Sequence, residues 1–141
     1  MKYVDTNILL RFILRDNPEL SPLAREIVQT NECYLLPEVI PELVYVLNKV
    51  YQFHRKEIST TILQILPLVV VKDLRLTRLA LQYFAEFNLD YVDCILLARN
   101  KLYGDEIITL DKKLIVSSLV RNFVPEKKPQ IHHAASNRIS F

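Results

Sequence analysis

Four carboxylates in this 141-residue chain fall where a sheet-and-helix protein concentrates its chemistry: Asp5, Glu42, Asp93 and Asp111. Asp5 directly follows a short apolar opening at residues 2–4, and Asp111 stands two residues after Thr109 at the end of another apolar run, 106–109. Glu42 and Asp93 fall in the first turns of two segments with helical spacing. Taken one at a time, each has an ordinary explanation. Asp5 and Asp111 suit helix N-caps, worth about 1 kcal/mol apiece. Asp93 suits a first-turn acid complementing the helix dipole, and Glu42 a solvated flank. Taken together they suggest more. Two carboxylates ~5 Å apart repel by about 3 kcal/mol at an effective dielectric near 20, so a converging set needs a counter-charge. A hard divalent cation such as Mg²⁺ or Mn²⁺ supplies one, because it prefers oxygen ligands and retains water. Such an ion activates water for attack on a phosphodiester without any histidine or cysteine ligand.

The elements that must position these acids are legible from apolar spacing. Short strands are expected at 2–4, 33–36, 68–71 and 106–109, with a fifth, marginal one at Phe123-Val124. Helices are expected between them. One follows Asp5-Thr6-Asn7 through Ile8, Leu9, Phe12 and Ile13, and is broken by Asn17-Pro18. A second runs over 22–29, with Ser21 as its cap and Pro22 at its first position. A third starts at Pro41, with Leu43, Leu47 and Val50 on one face. A fourth, 55–66, ends at Pro67. Leu76, Leu79, Ala80, Tyr83 and Phe87 mark a fifth, and a sixth runs from Asp90 to a C-cap at Gly104. Asp111-Lys112-Lys113 opens a last, short one. This order implies a three-layer α/β/α sandwich around a central parallel sheet of four to five strands, covered on both faces. In such sheets ligands gather beyond the carboxyl ends of the strands, the edge where the four acids fall.

Composition narrows the alternatives. Half of the chain is hydrophobic, enough for one compact domain. Residues 1–124 are read as that domain and 125–141 as a flexible tail, in which His132-His133 is read as part of a frayed segment and not as a metal site. Gly104 is the sole glycine, so no glycine-rich loop is present to wrap a nucleotide phosphate. The net charge of +2 resides in the tail, where Lys127, Lys128 and Arg138 oppose Glu126. The body is balanced, and no global basic footprint announces a nucleic-acid partner. Arg11, Arg15, Lys112 and Lys113 are either local phosphate contacts or an ordinary charged surface. Cys33 and Cys94 have no CxxC spacing and read as buried hydrophobes in a reducing compartment. The N-terminus reads as opening straight into structure, and the longest apolar run, 62–71, is interrupted by Gln64 and Pro67. A cytoplasmic protein without a membrane span is the expectation.

Four segments, in order, resemble the motifs of the PIN-domain ribonucleases: VDTNILL around Asp5, PELVYVL around Glu42, LDYVDCILLA around Asp93 and IITLDKKL around Asp111. The likeness covers residues 1–124, and at this length it is closest to the toxin of a VapBC-type toxin–antitoxin pair. The resemblance implies a metal-dependent endoribonuclease using Mg²⁺ or Mn²⁺ on single-stranded or structured RNA, with Asp5, Glu42, Asp93 and Asp111 as metal and catalytic residues. It implies Asn7 and Thr109 as supporting polar positions, a homodimer, and a small antitoxin protein as partner. Two departures from the motif stand out. Cys94 follows Asp93 where the family often has alanine, and Asp90 is an extra carboxylate, either the N-cap of its helix or a further member of the site. A housekeeping PIN nuclease without antitoxin, or a catalytically silent PIN-like module that only binds RNA or protein, shares the same segments. A phosphatase that places a second Asp two residues after its nucleophile is disfavoured, because that position holds Asn7.

Overall fold

The structure, a computed structural model, describes residues 1–115. The chain runs β1 (Lys2–Tyr3), α1 (Thr6–Leu14), α2 (Leu20–Thr30), β2 (Cys33–Tyr34), α3 (Val39–Lys49), α4 (Arg55–Ile65), β3 (Val69–Val70), α5 (Leu74–Glu86), α6 (Tyr91–Tyr103) and α7 (Lys112–Ile115). A single 3₁₀ turn, Leu66–Leu68, leads into β3, with Pro67 preventing α4 from continuing. The three strands form a parallel sheet in the order β1-β2-β3. Lys2 pairs with Cys33 and Cys33 with Val69; Tyr3 pairs with Tyr34 and Tyr34 with Val70. Successive strand residues point to opposite faces. Cys33 and Val69 accordingly turn into the core, whereas Tyr3 and Val70 are exposed and Tyr34 half-buried. The described residues therefore cover the sheet incompletely over the Tyr3–Tyr34–Val70 row.

The helices carry most of the core. Leu9, Leu43, Leu47, Ile58, Ile62, Leu81 and Leu97 are fully buried along the inner faces of α1, α3, α4, α5 and α6. Each such side chain contributes on the order of 1.5–3 kcal/mol by leaving water. The helix ends follow local chemistry. Asp73 caps α5 by accepting from the Leu76 N–H at 3.0 Å. Gly104 closes α6 in the left-handed region at φ 69°, where its N–H reaches the Asn100 carbonyl. The helix expected from Pro22 instead starts at Leu20. The Asn17 side chain accepts from the Glu19 and Leu20 N–H groups, while Ser21 is buried and its Oγ accepts from the Asn17 N–H.

The expectation of four to five strands is corrected to three among the described residues. Residues 106–109 keep the alternation that suggested a strand, with Ile107 buried and Ile108 exposed. They make no ladder hydrogen bonds to β1 among the described residues, so the segment runs as extended chain without pairing. The alternating pattern reports burial, and pairing is a separate condition that it does not encode. The expected strand at Phe123-Val124, the domain boundary at 124, the 125–141 tail and His132-His133 lie outside the described residues. Among the described residues no helix is long and apolar enough to cross a membrane.

Candidate acidic site

Asp5 occupies the turn between β1 and α1 in extended conformation (φ −91°, ψ 176°), and its Oδ1 accepts from the Ile8 N–H at 3.1 Å. The capping role considered from sequence is thus present. It occupies one carboxylate oxygen and leaves the side chain exposed. One residue on, Thr6 is buried and its Oγ1 donates to Glu42 Oε2 at 2.7 Å. This bond fixes the first turn of α3 against the first turn of α1. Sequence reasoning did not single out Thr6, although a signal existed. It shares a helix face with Leu9 and Leu10, and a polar group turned toward a core requires a partner.

Asp5 and Glu42 line one open hollow of about 330 Å³ together with Thr6, Asn7, Arg11 and Tyr51. Asn7 lines the same hollow. Arg11 and Tyr51 enter the hollow from the far end of α1 and from the residues just beyond α3. Sequence spacing gave no sign that these two would meet.

Asp93 lies in the first turn of α6, half-buried. Burial raises its pKa above the ordinary carboxylate value, and the neighbouring Asp111 and Asp90 carboxylates raise it further. Asp111 is shaped locally. Its N–H donates to Thr109 Oγ1 at 3.0 Å, and its Oδ1 accepts from the Lys113 N–H at 2.9 Å, starting α7. The Thr109 hydroxyl thus holds the Asp111 backbone. Asp90 takes the N-cap position of α6, yet its side chain makes no capping bond. Its negative charge acts on Asp93 instead.

The α5–α6 junction that presents Asp90 and Asp93 is pinned by Arg55, another residue not anticipated from sequence. Its guanidinium lies 3.7 Å from the centre of the Phe84 ring, donates through Nε to the Phe84 carbonyl at 2.8 Å, and donates through Nη2 to the Leu89 carbonyl. Burial lowers its pKa, while Cys94 and Asp90 pull in the opposite direction.

The structure thus forms two acidic groupings: Asp5 with Glu42 in one hollow, and Asp93 with Asp111 and Asp90 in mutual repulsion. Among the described residues no three His, Cys, Asp or Glu side chains stand close enough to enclose a metal ion. The ion pairs there are Arg11–Asp16 and Arg99–Asp105, so none of these five acids has a cationic partner. An all-oxygen donor set in which Asp111 and Asp90 raise the pKa of Asp93 fits a hard divalent cation. The family model for the PIN domain matches residues 2–116. No curated protein and no solved structure matches the chain.

Proposed function

Because the chain belongs to the PIN-domain family, whose members are generally nucleases, we propose that it is a metal-dependent endoribonuclease cleaving single-stranded or structured RNA. The observation that carries this reading is the family match over residues 2–116, with Asp5 and Glu42 brought together in one open hollow. The charge of Asp111 and Asp90 acts on Asp93, which has no cationic partner among the described residues. Asp5, Glu42, Asp93 and Asp111 would hold Mg²⁺ or Mn²⁺, directly or through water. When bound, such an ion offsets the acids' charge and acts as a Lewis acid in phosphodiester hydrolysis. The chain's own part is to hold the donors: Thr6 fixes Glu42, Thr109 orients Asp111, and Arg55 anchors the turn that leads to Asp93.

The finer assignment is the toxin of a VapBC-type module: a cytoplasmic homodimer whose antitoxin covers the acidic site. Its support is the order and wording of the four motif segments. A second reading, the catalytically silent PIN-like module, is favoured by one observation: no three donors enclose a metal position among the described residues.

Cleavage of a labelled RNA panel separates the two. Wild type is compared with Asp5→Asn and Asp93→Asn in Mg²⁺, in Mn²⁺ and in EDTA, and metal binding is followed by calorimetry. Metal-dependent cleavage lost in both variants is the expected result. Asp5→Asn preserves the cap, since an asparagine oxygen still accepts from the Ile8 N–H, whereas Asp5→Ala costs about 1 kcal/mol of stability as well. Absence of both cleavage and calorimetric metal binding establishes the silent module.

A further inference from the structure

A polyanion approaching Asp5 and Glu42 meets like charge. Among the described residues, the one basic side chain lining their hollow is Arg11, and the one aromatic is Tyr51. Arg11 is not free to swing. Its Nη1 donates to Asp16 Oδ1 at 2.7 Å, and its Nη2 approaches the Tyr51 hydroxyl at 3.5 Å. Tyr51 remains 37% exposed, and the backbone around it is held firmly. The Val50 and Tyr51 N–H groups both reach the Val46 carbonyl, at 2.9 and 3.2 Å. Gln52 then turns the chain in the left-handed region at φ 58°, a conformation costing a non-glycine residue about 1–2 kcal/mol. The Phe53 N–H returns to the Leu47 carbonyl at 2.9 Å, and Asn48 Nδ2 donates to the Phe53 carbonyl at 3.2 Å. A strained turn with two latches thus presents an aromatic ring beside a fixed guanidinium at an acidic hollow.

We propose that Arg11 and Tyr51 form a single-strand subsite, in which the guanidinium takes a backbone phosphate and the Tyr51 ring stacks on an adjacent unpaired base. Phosphates are held chiefly by Arg and Lys. A base offers its face to an aromatic side chain only when it is out of a duplex stack, so the pair selects unpaired segments. The subsite rests on the nuclease reading for the identity of the polymer as RNA.

Binding in EDTA tests the subsite apart from cleavage. A fluorescein-labelled single-stranded RNA and an RNA duplex of equal length are titrated with the full chain by fluorescence anisotropy, across a salt series. Tyr51→Ala is expected to weaken single-strand binding by about 5- to 150-fold and to leave duplex binding unchanged, while Tyr51→Phe stays close to wild type. Arg11→Gln is expected to reduce the salt slope for the single strand by about 0.7. Asp16→Asn, which breaks the same ion pair but keeps the cation, should leave that slope in place. Circular-dichroism melts confirm that all variants fold.

No single-strand binding by wild type, an equal loss on both RNAs in Tyr51→Ala, or an unchanged slope in Arg11→Gln overturns the proposal. Cleavage in Mn²⁺ by the same preparations reads the parent assignment separately. Tyr51-dependent binding with neither wild-type cleavage nor calorimetric metal binding removes the nuclease and keeps the subsite. Cleavage with binding indifferent to Tyr51 does the reverse.

Discussion

Arg55→Met tests whether one partly buried guanidinium holds the α5–α6 junction. The substitution keeps an unbranched chain over Phe84 but deletes both donors and the cation. Hydrogen bonds from a charged donor contribute about 1.5–3 kcal/mol each, and a partly desolvated cation–π contact about 1–2 kcal/mol. Relief of the guanidinium's own desolvation offsets part of this, so a net loss of about 3 kcal/mol is expected. For a chain of this length that lowers Tm by about 10 °C. The loss should also be local. Cys94 is fully buried, its Sγ lies 3.9 Å from the same Leu89 carbonyl, and burial pushes its thiol up to about 12. A thiol reagent attacks only the exposed thiolate, so native Cys94 labels through opening of this junction. Cys33, equally buried in β2 with its Sγ directed to the Ile27 carbonyl, serves as the internal reference. In Arg55→Met, Cys94 labelling should accelerate by about two orders of magnitude, the equivalent of 3 kcal/mol, and outpace Cys33. Arg55→Lys should fall between, since an ammonium cannot span both carbonyls as a planar fork does. A Tm within about 2 °C of wild type would refute the energetic argument. Labelling of both cysteines in step would refute the local one.

Two further outcomes are expected. The Tyr103 hydroxyl, followed by the Leu76 N–H, holds the Asp73 carboxyl below its ordinary pKa. The stability this provides is present above the unfolded value of about 4 and is lost as pH falls through the lower folded value, so urea midpoints of wild type and Asp73→Asn should converge toward pH 2 and separate toward pH 7. Parallel curves would rule the carboxylate out. Arg15 ends α1 at φ 52°, a conformation glycine adopts without strain, so Arg15→Gly should leave stability unchanged or raise it by up to about 1 kcal/mol in a chemical denaturation curve. A loss beyond that range would mean that the Arg15 side chain contributes contacts outweighing its backbone strain.

The parts of the fold legible in the sequence are those whose causes are local. Asp5 caps Ile8 three residues on, Gly104 closes α6 four residues past Asn100, and Pro67 stops α4; each signal lies within a turn of its effect. Thr6 and Glu42, Arg55 and Leu89, and Arg11 and Tyr51 meet across long stretches of chain, and no spacing rule announces such encounters. The run at 106–109 shows the same limit from the other side. Its alternation foretold that Ile107 is buried, but the identity of a ladder partner is a property of the assembled sheet. The acids themselves were visible one by one, but only Asp5 directly follows a paired strand; Glu42 and Asp93 lie in first helical turns and Asp111 follows unpaired extended chain. Their division into a hollow around Asp5 and Glu42 and a repelling group around Asp93 depends on tertiary packing.

The brevity of the strands bears on the order in which the molecule assembles. Helical neighbours such as α4, α5 and α6 are consecutive in the chain, and their contacts close short loops. Each rung of the sheet instead joins residues separated by two intervening helices, and each strand is only two residues long. Loop closure must precede any gain from pairing, and two rungs return little for it. Folding should therefore nucleate in the α4–α6 region, with the sheet zipping up late as a consequence of docked helices. In such a sequence the pinned junction at Arg55 forms early, while the turn carrying Asp5 acquires its final setting only when β1, the first segment of the chain, finds β2.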